Sequence, residues 1–541
     1  MIQKKWTHDN WRMTLGLALG FVVALLAFEQ LFLPFRVNDF LEVLPAWVAY
    51  PVSVISVALA VLLIWVGLTS GVVARGIVFF LFLLSTITEY SYVYVMGRFS
   101  IIQDYEIGLT AVNPELIGNA ALSFRESFIA AIAVSAALLA LQIYTRRERL
   151  PRPGRRLAAV LAATLLFYAS LASFCRGTFG TVSAAAGLRT LTFTSIKLLT
   201  SYNGPRAEVL PVANANPQNN IIFVVDESVR CDRLNVNGYA RQTTPYLEEL
   251  QRSGKLVNWG ATAASSTMSL NSNLYLLAGV KEMPDTGENT RRLPTIFQYA
   301  KAAGYHTYHF DAQMDTPWLV APRDQSALDT WVRSKDLRNS VPLTDIDFVT
   351  ARKIREIIHS STGNFIWVNK MGVHFPYPQR YPPESAVWQP ALTGAYYDFR
   401  HPDLISNAYD NALRYNIDGF FRELIGSDGL PDNTLILYTS DHGQTLSEHG
   451  ESWPHAGSTR WEACVPLFLV ANTPPRIDTA YPPSHANIFP TLLDLMQFPP
   501  EQRVYAYAPS LLSAQMSDAR PRNYIFGAYN SYYGSKVYPF E

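Results

Sequence analysis

Five apolar stretches before residue 176 constrain the fold of this chain more than any other feature. They cover about 13–34, 44–68, 73–95, 122–144 and 157–175. Each has the roughly 20 residues that a helix needs to cross the hydrocarbon core of a bilayer. A single stretch would also suit a buried core helix. Five in succession, with almost no charge inside them, predict a five-helix transmembrane bundle.

The first stretch has the basic flank of a signal peptide but not its cleavage site. Lys4, Lys5 and Arg12 precede the apolar run, and Phe32-Leu33-Pro34-Phe35 follow it, where small residues would be expected for cleavage. We therefore predict that this stretch is retained as a membrane anchor.

Basic residues in the short loops predict the orientation of the bundle. The N-terminus is basic, and so is the loop at 146–156 between the fourth and fifth stretches. Both are expected in the cytoplasm. An odd number of spans then places the rest of the chain on the far side, which is the periplasm if the source is a bacterium. We divide the chain into a transmembrane domain (1–176), a connector with an amphipathic helix at about 182–201 (177–218), and a soluble domain (219–541).

Charge and cysteine content exclude some functional classes. The formal net charge is zero, so a nucleic-acid partner has no electrostatic support. Cys175, Cys231 and Cys464 are too few for a disulfide framework. Three cysteines neither require nor exclude an oxidising compartment.

The soluble domain alternates between strand and helix patterns. Short runs rich in β-branched residues predict strands at 221–225, 306–310, 364–368, 434–438 and 465–470. Helical patterns lie between them, at about 244–253, 293–303, 345–359 and 404–424. This order predicts an α/β/α sandwich around a mostly parallel sheet.

Carboxylate and imidazole groups follow three of these strands. Asp226-Glu227 come after the first, Asn369 to His374 after the third, and Asp441-His442 after the fourth. A lone histidine after a strand is more often structural than a ligand. Three strands that deliver such groups to one sheet edge predict a metal site, and these ligand types suit zinc.

A hydroxyl nucleophile is predicted at the start of a helix near residue 270. Five hydroxyl residues precede the apolar run 274–277: Ser265, Ser266, Thr267, Ser269 and Ser272. A hydroxyl there faces unpaired backbone N–H groups that also bind phosphate oxygens, and an adjacent metal would lower its pKa. These residues would equally serve as helix N-caps, and composition does not choose among them.

Together these motifs resemble the alkaline phosphatase/sulfatase superfamily, and within it the bacterial inner-membrane phosphoethanolamine transferases. The resemblance lies in 226–230 (DESVR), 237–239 (NGY), 243–245 (TTP), 371–374 (MGVH), 406–411 (SNAYDN) and 440–443 (SDHG). It covers almost the whole chain, because five spans before the catalytic domain also suit the family. It implies an integral membrane enzyme with a periplasmic α/β/α domain.

The resemblance assigns roles to particular residues. Ser269 is the expected nucleophile, because Ser272 and Gly279 follow it at the family's intervals. The resemblance implies that Glu227, Ser269, Asp441 and His442 bind one zinc ion tightly. His374 and His455 would contact the phosphate group or hold a second, weaker zinc, and His449 is the alternative to His455. Asp104, Asn113 and Glu115 would contact the donor head group, or would otherwise be loop turn residues. Arg230 and Lys370 are expected to be structural or solvated charges.

The implied reaction moves phosphoethanolamine from phosphatidylethanolamine, through a covalent serine, to lipid A or the lipopolysaccharide core. A phosphoglycerol transferase acting on a glycan would share the metal site. A sulfatase would need proline and arginine after the nucleophile, and 269–273 has neither. A decayed, non-enzymatic receptor or assembly factor is the remaining alternative. The chain departs from the family in its few cysteines and in Asp226, which replaces the usual glycine.

Overall fold

The computed structural model describes the greater part of the chain in two compact units. The described residues are 8–32, 46–96, 125–146, 148, 161, 199, 201–315, 322–338, 341–393, 401–448, 457–527 and 535–541. The first unit comprises Met1–Ser201 with Ser531–Ser535, and the second comprises Tyr202–Asn530 with Lys536–Glu541. The predicted fifth span and the amphipathic connector helix fall almost wholly outside the described residues.

Four apolar helices form the described part of the first unit, and they match the first four predicted spans. Their bounds are His8–Phe32, Ala46–Thr69, Val72–Met96 and Arg125–Tyr144. Three contain stretches long and apolar enough to cross a membrane, Trp11–Glu29, Val72–Ser91 and Ser127–Tyr144, and the remaining helix contributes the shorter apolar segment Val57–Thr69. This part of the chain has the composition of a multi-pass membrane protein.

The interior of the helical unit is not entirely apolar. Glu29, Arg75 and Glu89 are buried there. Arg75 donates hydrogen bonds to the backbone oxygens of Ser70 and Thr145, both at 2.8 Å. The hydroxyl of Tyr90 donates to Glu29 Oε1 at 3.2 Å. Polar groups inside a membrane bundle need such partners, because lipid offers none.

The second unit is built on a seven-stranded sheet. In chain order its strands are β1 (Asn220–Asp226), β2 (Leu256–Ala263), β3 (His306–Asp311), β4 (Thr330–Val332), β5 (Asn364–Asn369), β6 (Thr434–Ser440) and β7 (Cys464–Val470). The spatial order is β2-β7-β6-β1-β5-β3-β4. The five strands from β6 to β4 are parallel, whereas β7 and β2 are antiparallel to their neighbours. All five predicted strands are present, and the sheet gains two strands that were not predicted, β2 and the three-residue β4.

Helices cover both faces of this sheet. Five helices lie near the positions predicted for the sandwich: Pro245–Arg252, Ile296–Ala302, Ile346–Ser360, Pro402–Leu413 and Gly419–Ile425. The helix predicted to start near residue 270 is Ser269–Ala278. Further helices are Asn289–Arg292, Ser334–Arg338, Arg460–Ala463 and Ile488–Leu495. The predicted helix at 404–424 is divided by a π-helical turn at Arg414–Asp418. A small second sheet pairs β8 (Asn523–Gly527) with β9 (Ser535–Pro539).

Alternate residues of β1 supply the two hydrophobic cores. Ile222 and Val224 pack in the core on one face, whereas Ile221, Phe223 and Val225 pack in the core on the other. Burial on both faces is why this strand is a continuous apolar run. The predicted α/β/α sandwich is therefore present.

A disulfide joins two distant parts of the second unit. Cys231, in the turn after β1, is bonded to Cys464 at the start of β7, with 5.5 Å between the Cα atoms. Both residues are buried. The sequence did not predict this pair, because cysteines 233 positions apart meet only after the sheet has formed.

Candidate active site

Two neighbouring parallel strands bring the predicted carboxylates and imidazole together. In the register of β1 and β6, Asp226 lies opposite Ser440. Glu227 therefore leaves the sheet beside Asp441 and His442, at the carboxyl edge of both strands. All three side chains are at most 1% exposed. The ligand atoms of Glu227, Asp441 and His442 all lie within 4.8 Å of one another.

Ser269 begins the helix that points at this cluster. Its Oγ lies 3.1 Å from His442 Nε2 and 3.4 Å from Glu227 Oε2. Ser269 is only half-buried, so its hydroxyl sits where a buried acidic cluster meets solvent. It is the first residue of the helix, and the first backbone N–H groups of a helix have no partner within it. They are thus available to an anion bound at the hydroxyl.

The other four candidate hydroxyls do not reach the cluster. Ser272 Oγ donates to the backbone oxygen of Ser266 at 2.9 Å, and Thr267 Oγ1 donates to that of Gly457 at 2.7 Å. Ser266 Oγ accepts a bond from the Met268 N–H. Ser265 Oγ is buried without a hydrogen-bond partner. The tertiary structure thus singles out Ser269 among the five.

The geometry of the cluster fits a cation. Asp441 Oδ1 accepts hydrogen bonds from the backbone N–H groups of Ser228 and His442. Its buried Oδ2 accepts no hydrogen bond and lies 3.5 Å from His442 Nε2. His442 Nδ1 lies 2.6 Å from the carbonyl oxygen of Gly443. A carbonyl can only accept, so Nδ1 carries the proton and Nε2 presents a lone pair to the cluster. Two carboxylates, one imidazole nitrogen and one hydroxyl form a donor set that suits zinc.

Electrostatics lead to the same interpretation. Burial and the adjacent charge of Glu227 raise the pKa of Asp441 to about 7. The pKa of His442 is also raised, because the attraction of Asp441 and Glu227 outweighs the burial that would lower it. Two buried carboxylates side by side repel one another unless a proton or a cation lies between them.

Gln313 supports the Glu227 carboxylate and was not predicted. Its Nε2 donates to Glu227 Oε2 at 3.1 Å and to the backbone oxygen of Lys370 at 2.7 Å. The hydroxyl of Ser228 donates to the other carboxylate oxygen at 2.6 Å. Gln313 lies two residues after β3, at the same sheet edge as the ligands, and that position was the one available sequence signal.

His374 lies near the cluster without joining its ligand atoms. Its Nδ1 donates to the backbone oxygen of Phe375 at 2.6 Å, and the ring is half-buried. Burial lowers its pKa, although the charge of Glu227 opposes this effect. His449, His455, Asp104, Asn113 and Glu115 lie outside the described residues, so their predicted roles stay predictions.

The charges of Arg230 and Lys370, which were expected to be structural or solvated, are buried and structural. Lys370 and Arg230 are at most 1% exposed. Arg230 pairs with Asp232 and Glu448 and stacks on the ring of Trp461. Tyr409, from the predicted Tyr-Asp-Asn helix, donates to the backbone oxygen of Ser228 at 2.6 Å. These contacts fix the turn that carries Glu227.

Comparison with known proteins assigns the family. The profile described as Sulfatase matches residues 219–498, which is more than half of the chain. Kdo(2)-lipid A phosphoethanolamine 7''-transferase of Escherichia coli (strain K12) is 25% identical over 231 residues, which cover 42% of this chain and 39% of that protein. Phosphatidylethanolamine transferase Mcr-1 of Escherichia coli is 27% identical over 299 residues, which cover 51% and 53%. The chain thus spans about two fifths to one half of these curated relatives.

A solved structure shares the fold of both units. The integral membrane protein lipooligosaccharide phosphoethanolamine transferase A (EptA) from Neisseria meningitidis superposes with a TM-score of 0.58 at 17% identity. The superposition covers 91% of this chain and 97% of that one. The chain therefore belongs to the sulfatase family, and within it resembles the phosphoethanolamine transferases that its motifs predicted.

Proposed function

We propose that this chain transfers phosphoethanolamine from phosphatidylethanolamine to an envelope glycolipid, lipid A or the lipopolysaccharide core. The observation that carries the proposal is the position of the Ser269 hydroxyl, in contact with His442 and Glu227 at the start of a helix. The curated relatives that bear the name phosphoethanolamine transferase support the choice of the transferred group.

In this proposal Glu227, Ser269, Asp441 and His442 hold one zinc ion. Asp441 Oδ2, which accepts no hydrogen bond, and the lone pair on His442 Nε2 are the groups that fit it best. When bound, zinc would lower the pKa of the Ser269 hydroxyl and offset the negative charge of the phosphoryl oxygens.

The first half-reaction forms a bond between Ser269 Oγ and phosphorus. The bond between phosphorus and the glycerol oxygen breaks and diacylglycerol leaves as the alcohol, because the proton lost by Ser269 is replaced on the glycerol oxygen, directly or by way of solvent. The first-turn N–H groups of the Ser269 helix bind the phosphoryl oxygens. In the second half-reaction an acceptor hydroxyl or phosphate oxygen bonds to the same phosphorus, and the bond between phosphorus and Ser269 Oγ breaks. Ser269 Oγ regains a proton from the acceptor hydroxyl or from solvent.

His374 and His455 are proposed to contact the phosphate group, or to hold a second, weaker zinc. The lowered pKa of His374 keeps its ring neutral near pH 7, which suits either role. Asn113 and Glu115 remain proposed contacts of the donor ammonium group.

We further propose that the protein is a multi-pass protein of a bacterial inner membrane, with residues 219–541 in the periplasm. The Cys231–Cys464 disulfide supports this location, because such bonds persist in oxidising compartments. Confinement of enzyme, donor and acceptor to one leaflet raises their effective concentrations. We retain the predicted boundaries of the transmembrane domain (1–176) and the connector (177–218).

The direct test is a trapping experiment with the full-length protein in detergent. It is incubated with phosphatidylethanolamine or with phosphatidylglycerol, and the digested protein is analysed by mass spectrometry. We expect a phosphoethanolamine adduct on Ser269. An adduct on another residue would refute the assignment of the nucleophile, and a phosphoglycerol adduct would favour the alternative donor. Lipid mass spectrometry of cells with and without the protein identifies the acceptor.

A further inference from the structure

A buried cluster of three charges lies directly beneath the Glu227 turn. The ammonium group of Lys370 lies 2.5 Å from Asp226 Oδ2 and 3.8 Å from Asp347 Oδ2. All three side chains are at most 1% exposed. Asp226 ends β1 and Lys370 follows β5, its parallel neighbour. The residue that departs from the family motif therefore meets its counter-charge across two adjacent strand ends.

Asp226 connects this cluster to the proposed zinc ligand. Its Oδ1 accepts a hydrogen bond from the backbone N–H of Glu227 at 2.9 Å. Its Oδ2 accepts from Lys370 and from the hydroxyl of Tyr438 at 2.8 Å. The carboxylate of Asp226 thus has three donors, one of which is the backbone of Glu227.

Asp347 connects the same cluster to the turn that leads to His374. Its two oxygens accept from the backbone N–H groups of Met371 and Gly372, both at 2.9 Å. Gly372 has a φ of +54°, and a Cβ built on it would lie 2.2 Å from Asp226 Oδ1. A larger residue at 372 would therefore collide with the cluster.

The two turns are also joined directly. The backbone N–H groups of Lys370 and Val373 donate to the carbonyl oxygens of Val225 and Glu227, at 3.1 and 3.2 Å. Gln313 closes the loop, because it donates both to Lys370 and to the Glu227 carboxylate. The Glu227 turn and the 370–373 turn are therefore linked through their backbones and Gln313, in addition to the ion pairs of Lys370 with Asp226 and Asp347.

We infer that Asp226, Lys370 and Asp347 are positioning residues that fix the Glu227 carboxylate in its metal-binding orientation. The inference rests on the proposed function, because it takes Glu227 to be a zinc ligand. Groups that orient metal ligands through hydrogen bonds alter metal affinity when they are replaced, typically by about 10- to 100-fold. A cluster that only stabilised the fold would alter the melting temperature alone.

The test compares zinc affinity with thermal stability in the full-length protein. The variants are D226N, K370M and the double variant, each measured by chelator competition and by thermal melting. D226N keeps an oxygen that can accept from Glu227 but removes the charge that pairs with Lys370. We expect zinc affinity to fall by about 10-fold or more in each single variant. The double variant should lose less than the sum of the two, because they share one interaction.

The matched control is D324N, which breaks another buried ion pair in the same unit. Asp324 pairs with Arg206 at 2.8 Å, and the two side chains are 3% and 4% exposed. We expect D324N to lower the melting temperature and leave zinc affinity within about 3-fold of wild type, since the hydrogen bonds of Arg206 in the described part of the chain go to Asp324, Thr290 and Leu293 and not to the Glu227 turn.

The outcomes separate this inference from the proposed function. A wild-type protein that binds zinc, with D226N binding it equally tightly, would overturn the inference alone. An equal loss of affinity in D324N would overturn it too. A wild-type protein that binds no zinc would overturn the proposed metal site and the inference with it. If K370M does not fold, the comparison of zinc affinity between D226N and D324N still tests the inference.

Discussion

The hydroxyl oxygen of Ser269 lies 3.1 Å from Nε2 of His442, although 173 positions separate the two residues. His442 donates from its other ring nitrogen to a backbone carbonyl. Its Nε2 is therefore available to accept a hydrogen bond from the Ser269 hydroxyl or to bind a cation. Ser269 is half-buried, whereas the other three residues of the cluster are almost fully buried. A substrate would reach Ser269 first.

Replacement of the Ser269 hydroxyl should abolish the transfer. We expect S269A to lose at least about 10³-fold in activity, because none of the other four candidate hydroxyls reaches the cluster and the Ser228 hydroxyl is held by a hydrogen bond to Glu227. S269T should retain activity, since threonine keeps the hydroxyl. The assay is release of diacylglycerol from phosphatidylethanolamine.

Ser265 provides the matched control for that experiment. Its hydroxyl is buried without a partner and belongs to the same segment. S265A should keep activity within about 3-fold of wild type, because no hydrogen bond is lost. An inactive S265A together with an active S269A would disprove the choice of nucleophile.

Replacement of either His442 or Asp441, two of the proposed zinc ligands, should release the metal. We expect H442Q and D441N to hold less than about one tenth of the wild-type zinc, measured by elemental analysis after gel filtration. H306Q is the control, because the His306 side chain is 49% exposed on β3, away from the cluster. Wild-type zinc content in both ligand variants would contradict the proposed site.

The disulfide should be detectable by counting thiols. The chain has three cysteines, and Cys231 and Cys464 are paired. We expect one reactive thiol per denatured chain before reduction and three after it. The C231A/C464A variant should melt at a lower temperature, because loss of a disulfide that closes a long loop typically lowers the free energy of unfolding by about 2–5 kcal/mol. C175A should melt like wild type. Three free thiols in protein purified without reductant would argue against the pair and against an oxidising compartment.

Stability in mild acid should depend on His309. Burial lowers its pKa from 6.5 to about 3, and neither ring nitrogen has a partner. The imidazole is thus neutral in the folded state and binds a proton only on unfolding. Its contribution to stability is complete above about pH 6.5 and declines as the pH falls towards 3, by about 1.4 kcal/mol per pH unit.

The variant H309L removes this dependence. It should be at least as stable as wild type near neutral pH, because a buried group without hydrogen bonds is replaced by an apolar one. Its advantage in melting temperature should widen between roughly pH 7.5 and pH 5.5. A constant or shrinking difference would show that His309 is protonated in the folded protein.

Much of the fold followed from local patterns. The runs at 221–225, 364–368 and 434–438 predicted strands correctly, because burial on both faces demands continuous apolar residues. Polar residues directly after those strands predicted a shared edge, because parallel strands end together. Both patterns are local in the chain and do not depend on contacts between distant residues.

Other features could not be derived in this way. Gln313 contacts Glu227 across a separation of 86 positions. Glutamine after a strand is an ordinary surface residue by composition. The short β4 pairs with β3 over three residues only, and three residues carry no detectable period.

The amino-acid sequence by itself determined the four described apolar helices, the alternating α/β pattern and the residue types that reach the carboxyl edge of the sheet, because all of these depend on hydrophobicity and spacing along the chain. Only the tertiary structure decided which hydroxyl meets Glu227 and His442, that Cys231 pairs with Cys464, and that Lys370 neutralises Asp226. Those relationships join residues that are far apart in the chain, and they arise only when the packing of the sheet and its helices brings specific side chains within hydrogen-bonding distance.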